Sequence, residues 1–196
     1  MKIISRESIA ESLIISKSKF IGLSFIVKSK EEALKKIQQS FGMHPSCSHI
    51  AFSYQIYKSN VIEPYFTDNG EPAGTAGKPL LSILENKKII NTCLAVVRYY
   101  GGVNLGTGGL ARAYSKAGML ALNQSDITTY IEKKNYLFTL KYNMLDIISN
   151  VIYKNNGEII DKKFSDEICL KVALTSKEAT RIQSQYPLIK INETPH

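Results

Sequence analysis

Two glycine-rich segments hold most of the side chains able to do chemistry. The first is Thr67–Lys78, where Asp68, Glu71 and Lys78 are interleaved with Gly70, Gly74 and Gly77. Glycine lets backbone come close to a ligand. Two carboxylates this near in sequence can serve as acid and base, or hold a hard cation. They can equally satisfy the backbone N–H groups of a tight connection. The second segment runs from Arg98 through Gly101, Gly102, Gly106, Thr107, Gly108 and Gly109 to Arg112. A glycine-rich turn leading into a helix offers unpaired N–H groups and a positive dipole end to an anion. Thr107 can cap that helix or bind a phosphate oxygen, and Arg98 and Arg112 add charge and bidentate reach. The alternative is a capped helix packed on a sheet through its small residues. Neither a Gly-Lys-Ser/Thr phosphate loop nor the dinucleotide-binding fingerprint is present.

His49 is the third candidate. Ser53 shares its strand face, but residues four apart on a strand stand about 13 Å apart, so the two cannot form a nucleophile–base pair. A hydrogen-bonded structural or ligand-contacting role fits His49 better. Tyr54, Tyr57, Tyr99 and Tyr100 offer faces for base stacking, although Tyr54 reads as a packing residue.

The elements that must position these side chains follow from the hydrophobic pattern. Phe20–Lys28 reads as a strand. Ser29 and Glu32 have capping-box spacing ahead of a helix with Leu34, Ile37 and Phe41 on one face, ended by Gly42 and Pro45. Ser48–Tyr57 alternates, with Ile50, Phe52, Tyr54 and Ile56 on one face, which predicts a strand buried on one side. Val61–Phe66 is a strand that Pro64 assigns to an edge. Pro79 opens a short helix, Thr92–Arg98 is a buried strand, and Leu110–Asn123 is a helix striped by Leu110, Ala113, Ala117 and Leu120. After Thr128 glycines nearly vanish. Strands at Tyr136–Tyr142, Gly157–Lys163, Ile168–Thr175 and Leu188–Asn192 alternate with helices at Met144–Asn155, capped by Asn143, and Ser176–Tyr186. That β-α-β-β-α-β order is the ferredoxin-like sandwich. The expected domains are 1–130 and 131–196, and the expected class is α+β.

Composition narrows the function. The 196 residues are 44% hydrophobic and 21% charged, a globular balance. No apolar run approaches the ~18 residues of a membrane span, and the N-terminus has no secretory h-region. Cys47, Cys93 and Cys169 are far apart and odd in number, so neither a disulfide framework nor a cysteine metal site is expected. With only His44, His49 and His196 besides, no metal and no cofactor is expected. The cytoplasm is the expected location. The net charge is +8, of which residues 1–130 carry +6 and residues 131–196 carry +2. A basic first domain favours polyanions such as RNA, although a lysine-rich solubilising surface has the same composition.

Four stretches together resemble the YigZ/IMPACT family: SKFIGLSFIV (18–27), SHIAFSYQI (48–56), DNGEPAGTAGKPLL (68–81) and VVRYYGGVNLGTGGLARAY (96–114). The resemblance covers the first ~125 residues, and the remainder looks like the small C-terminal domain of bacterial YigZ members. It implies an N-terminal α/β sandwich similar to the second domain of a small-subunit ribosomal protein. It also implies a C-terminal domain similar to the last domain of elongation factor G. The IMPACT branch regulates translation initiation through a protein partner and carries an additional N-terminal RWD domain, which the 196 residues do not contain. Where the family pattern reads Asp-Asp-Gly-Glu-Pro, this chain has Asp68-Asn69-Gly70-Glu71-Pro72, one carboxylate fewer. The usual arginine before Pro79 is Lys78, which keeps the charge and loses the fork.

The expectation is a translation-associated binding protein rather than an enzyme. It would contact RNA, a ribosome-associated component or another phosphate-bearing partner through a basic glycine-rich groove. The groove residues would be Lys78, Arg98, Gly101, Gly102, Gly106, Thr107, Gly108, Gly109 and Arg112. One alternative is a small hydrolase or phosphotransferase using Asp68, Glu71 and His49 in the same groove. The other is a regulator that binds only protein.

Overall fold

The unbroken apolar run from Cys93 to Val97 predicts a strand covered on both faces, and the first half of the chain is built around it. In the computed structural model, which describes residues 1–194, the chain divides into two compact units at Tyr130/Ile131. The first contains β1 (Lys2–Ile4), β2 (Ser8–Ile9), β3 (Leu13–Ile15), β4 (Ser18–Ile26), α1 (Lys30–Met43), β5 (His49–Lys58), β6 (Val61–Thr67), α2 (Gly77–Lys87), β7 (Thr92–Tyr99), α3 (Gly106–Gln124) and β8 (Ile127–Thr129). The second contains β9 (Lys134–Leu140), a 3-10 turn at Tyr142–Met144, α4 (Leu145–Lys154), β10 (Glu158–Phe164), β11 (Ile168–Leu174), α5 (Ser176–Gln185) and β12 (Lys190–Thr194). The chain is therefore α+β, with three sheets and five α-helices among the described residues. His196 lies outside them. Among them no helix is long and apolar enough to cross a membrane.

The main sheet of the first unit has the order β2-β4-β7-β5-β6, with β3 also paired to β4, and every pairing is antiparallel. Alternation along β7 sends Leu94 and Val96 into one core with α2 and α3, and Cys93, Ala95 and Val97 into another with α1. The sheet thus has helices on both faces. That corrects the one-sided reading of β5. Its Ile50, Phe52, Tyr54 and Ile56 face α1, and its Ala51, Ser53 and Gln55 are buried as well. Gln55 reaches the Ile89 carbonyl at 2.8 Å, so a polar side chain is accommodated inside.

Two local expectations also change. The inward stripe of α1 is Ala33, Ile37 and Ser40, while Leu34 and Phe41 are exposed. Those two sit one residue further round the helix, about 100° away from the packed line. In the second unit the 3-10 turn occupies the start of α4, and the N-cap is Met144 rather than Asn143, with no side-chain cap bond. Close packing of α3 on β4 depends on Gly22, where a Cβ would collide with the Ala117 carbonyl. The first unit is closed by its smallest sheet, in which β1 pairs with β8 from Lys2↔Thr129 to Ile4↔Ile127.

The second unit has strand order β10-β11-β9-β12, all antiparallel. Tyr136, Phe138 and Leu140 of β9 and Ile168, Leu170, Val172 and Leu174 of β11 meet Ile148, Ile152 and Ile182 of the helices. Thr175 and Glu178 form a full capping box at the start of α5. Because this core draws on no residue before Tyr136, residues 131–196 expressed alone are expected to unfold in one cooperative transition. A broad, non-cooperative melt of that fragment, with the full chain cooperative, would refute its independence.

Candidate functional site

The loop between β6 and α2 is organised by Asp68. One carboxylate oxygen accepts the Ala76 and Gly77 amides at 2.8 and 2.9 Å, and the other accepts the Gly74 amide at 2.7 Å. Ala76 is the N-cap of α2 and makes no side-chain cap bond, so Asp68 satisfies from a distance the donors that a capping side chain would. Asn69 holds the loop to β5, donating its amide to the Ile50 carbonyl at 3.0 Å. A carboxylate at this position has no proton to donate.

Glu71 is turned inward. Its side chain is 2% exposed and accepts two hydrogen bonds from Arg98 Nη1, at 2.7 and 2.9 Å, and one from the Tyr114 hydroxyl at 2.8 Å. Arg98, with a side chain 6% exposed, lies between two rings, its guanidinium carbon 5.5 Å from the Phe20 centroid and 5.1 Å from that of Tyr100. Burial, followed by the hydrogen bond to Glu71, raises the Tyr114 phenol well above its usual range, so it remains a proton donor to the carboxylate. The loop, β7 and α3 are thereby joined by one buried, charge-neutral triad.

Beside the triad is a cavity of about 500 Å³, whose walls include His49, Glu71, Arg98, Tyr100, Asn104 and Thr107. His49 is placed by its β5 register opposite Arg98. Its Nδ1 meets the Asn69 carbonyl at 3.1 Å. A carbonyl only accepts, so Nδ1 is the donor in this contact and Nε2 is left uncommitted. The start of α3 borders the same space. Leu105 is its N-cap and offers no capping bond, so the first-turn amides keep their donor capacity. Thr107 lies within that first turn and does not cap it.

The expected site residues are therefore divided. His49, Glu71, Arg98, Gly106 and Thr107 border the cavity. Gly101 instead packs against the Lys17 carbonyl, where a Cβ would collide. Gly102, Gly108 and Gly109 do not border it, and neither do the exposed Lys78 and Arg112. Arg112 borders a second depression, with Pro79, Ala111, Ser115, Lys116 and Met119. Tyr54 is buried and stacked on Tyr65, Tyr99 bonds to His44 Nδ1, and Tyr100 is 48% exposed. Ser53 is buried with its hydroxyl unpartnered. Among the described residues no group of three or more His, Cys, Asp or Glu side chains can hold a metal ion. Sequence reasoning passed over Tyr114, although its position four residues after Leu110 puts it on the buried stripe of α3.

The "Impact N-terminal domain" family model matches residues 16–122. The chain is similar to an "IMPACT family member" of Haemophilus influenzae, 33% identical over 175 residues that cover 87% of this chain and 84% of the relative. It is likewise similar to "IMPACT family member YigZ" of Escherichia coli, 31% identical over 172 residues, 87% of this chain and 84% of that one. Among solved structures, a crystal structure described as that of a hypothetical protein is 27% identical with a TM-score of 0.72, covering 100% of this chain and 97% of the other.

Proposed function

From the premise that the chain belongs to the IMPACT family, we propose that it is a translation-regulatory binding protein. In this reading it contacts RNA or another phosphate-bearing component of the translation machinery with the glycine-rich side of its first unit. One observation carries the preference for binding over catalysis. The two carboxylates that acid–base chemistry would use are already committed, Asp68 to three amides and Glu71 to Arg98 and Tyr114. A general acid or base must be free to exchange a proton with a substrate, and neither group is. What remains in the cavity includes hydrogen-bond donors, the first-turn amides of α3 and the Thr107 hydroxyl, which suit an anionic or carbonyl-rich group of a partner. The likenesses to ribosomal-protein and elongation-factor domains that the family resemblance implies would favour the same reading as fold analogies.

The test is a reconstituted translation reaction with purified protein added, followed by ribosome co-sedimentation at low salt. The expected outcome is a dose-dependent change in initiation rate together with protein in the ribosomal pellet. Unchanged initiation with no protein in the pellet would overturn the proposal.

A further inference from the structure

We propose that the outer face of α2 and α3, centred on Lys78, Arg112 and Lys116, is a docking surface for the phosphate backbone of single-stranded RNA. The proposal rests on the RNA-contacting reading above and moves the contact away from the cavity. The charge at the cavity is cancelled, because Arg98 is buried against Glu71. On the outer face it is not. Arg112 and Lys116 are one helical turn apart on α3 and border an open depression of about 600 Å³ together with Pro79. Lys78 precedes Pro79 in the first turn of α2. Among the described residues none of these three cations has an ion pair or hydrogen bond, whereas Arg6, Lys36, Arg98 and Lys134 all have acidic partners.

Acids placed to neutralise the face are few. Helix α3 contains none and α2 contains only Glu85, about 10 Å along the axis from Lys78. Asp68, near the start of α2, is occupied by three amides. The apolar part of the depression is small, made of Pro79, Ala111 and Met119. Protein interfaces draw most of their energy from aromatic or arginine anchors seated in desolvated pockets, and this face has no aromatic residue and no deep pocket. A nucleic-acid backbone needs only accessible cations, because the energy comes from releasing condensed counterions. The chemistry therefore favours RNA over an acidic protein.

The experiment measures fluorescence anisotropy of a labelled oligouridylate with the full chain across a salt series. Three contacts give a slope of log K against log salt of roughly −2, at about −0.7 per phosphate neutralised. The triple variant K78A/R112A/K116A is expected to bind at least tenfold more weakly at low salt, with a slope shallower by about 2. A control triple variant, K28A/K30A/K35A, removes the same charge near and on α1, which packs on the opposite face of the sheet. It is expected to keep the wild-type slope. Thermal unfolding of both variants checks that the fold is retained. The proposal is overturned if wild type does not bind at low salt, if the first triple variant matches wild type, or if the control loses as much. It is also overturned if polyglutamate competes as well as RNA. Running the first triple variant in the translation reaction separates the two readings. Intact RNA binding with regulation preserved refutes the surface alone. A lost slope alongside a wild type that never affected translation refutes the regulatory reading alone.

Discussion

Replacing Glu71 with Ala is expected to destabilise the first unit by about 3–5 kcal/mol, because it leaves the buried Arg98 guanidinium without its counter-charge. Both side chains are almost fully buried, so solvent can neither screen the pair nor readily replace the missing partner. The Tyr114 hydroxyl loses its acceptor in the same change. The double variant E71L/R98M is expected to recover most of the loss, since removing both charges removes the unpaired-ion penalty. Y114F should cost about 1.5–3 kcal/mol, the worth of a hydrogen bond to a charged group and less than the loss of the carboxylate. Urea unfolding followed by far-ultraviolet circular dichroism, with the second unit as internal reference, gives the comparison. A Glu71→Ala protein within 1 kcal/mol of wild type by this rule, or a double variant no better than the single, would show that the triad is not a structural unit.

Asp68→Ala is expected to cost about 3 kcal/mol, since three backbone donors lose a charged acceptor in a loop only partly open to water. Asp68→Asn keeps one oxygen, able to serve the Ala76 and Gly77 amides, and gives up the bond to Gly74. Its cost should be about 1 kcal/mol. Hydrogen exchange at Gly74, Ala76 and Gly77 reads the effect directly. All three amides should lose protection in D68A, and chiefly Gly74 in D68N. If Asp68 were instead an acid or base, both substitutions would leave these amides protected.

Much of the scaffold was legible because it follows from local pattern. Thr92–Arg98 read as a buried strand, Pro64 fell on an edge strand, and Ser29 with Glu32 had the spacing that caps a helix. Burial on both faces of β5 was not legible, because Ser53 and Gln55 look like a solvated face and only α2 packing above them makes it an interior. The same limit governed the site. Glu71 and Arg98 were each identified, one as an acid–base candidate and the other as a phosphate arm. They lie 27 residues apart, and no periodicity announces that they neutralise each other. Asp68 was open to a structural reading from the start. What the sequence lacked was the direction of its carboxylate. Lys116 attracted no attention because a lone exposed lysine on a helix has no sequence signature. It matters only beside Pro79 on a different helix.

The clasp between β1 and β8 sets a clock on the making of the molecule. Lys2 pairs with Thr129, so the second residue of the chain meets its partner only after nearly the whole first unit has been made. At about 5–20 residues per second, that is a wait of roughly 6–25 s. During this interval β1 has backbone partners on one side only, at Lys88 and Ile90, and its other edge is open, of the kind that invites pairing with other chains. The small size of β1, three residues, keeps that exposure short in space although it is long in time. A ribosome that pauses before Ile127 prolongs the interval, and synthesis of the last strand of the first unit is then the event that ends it.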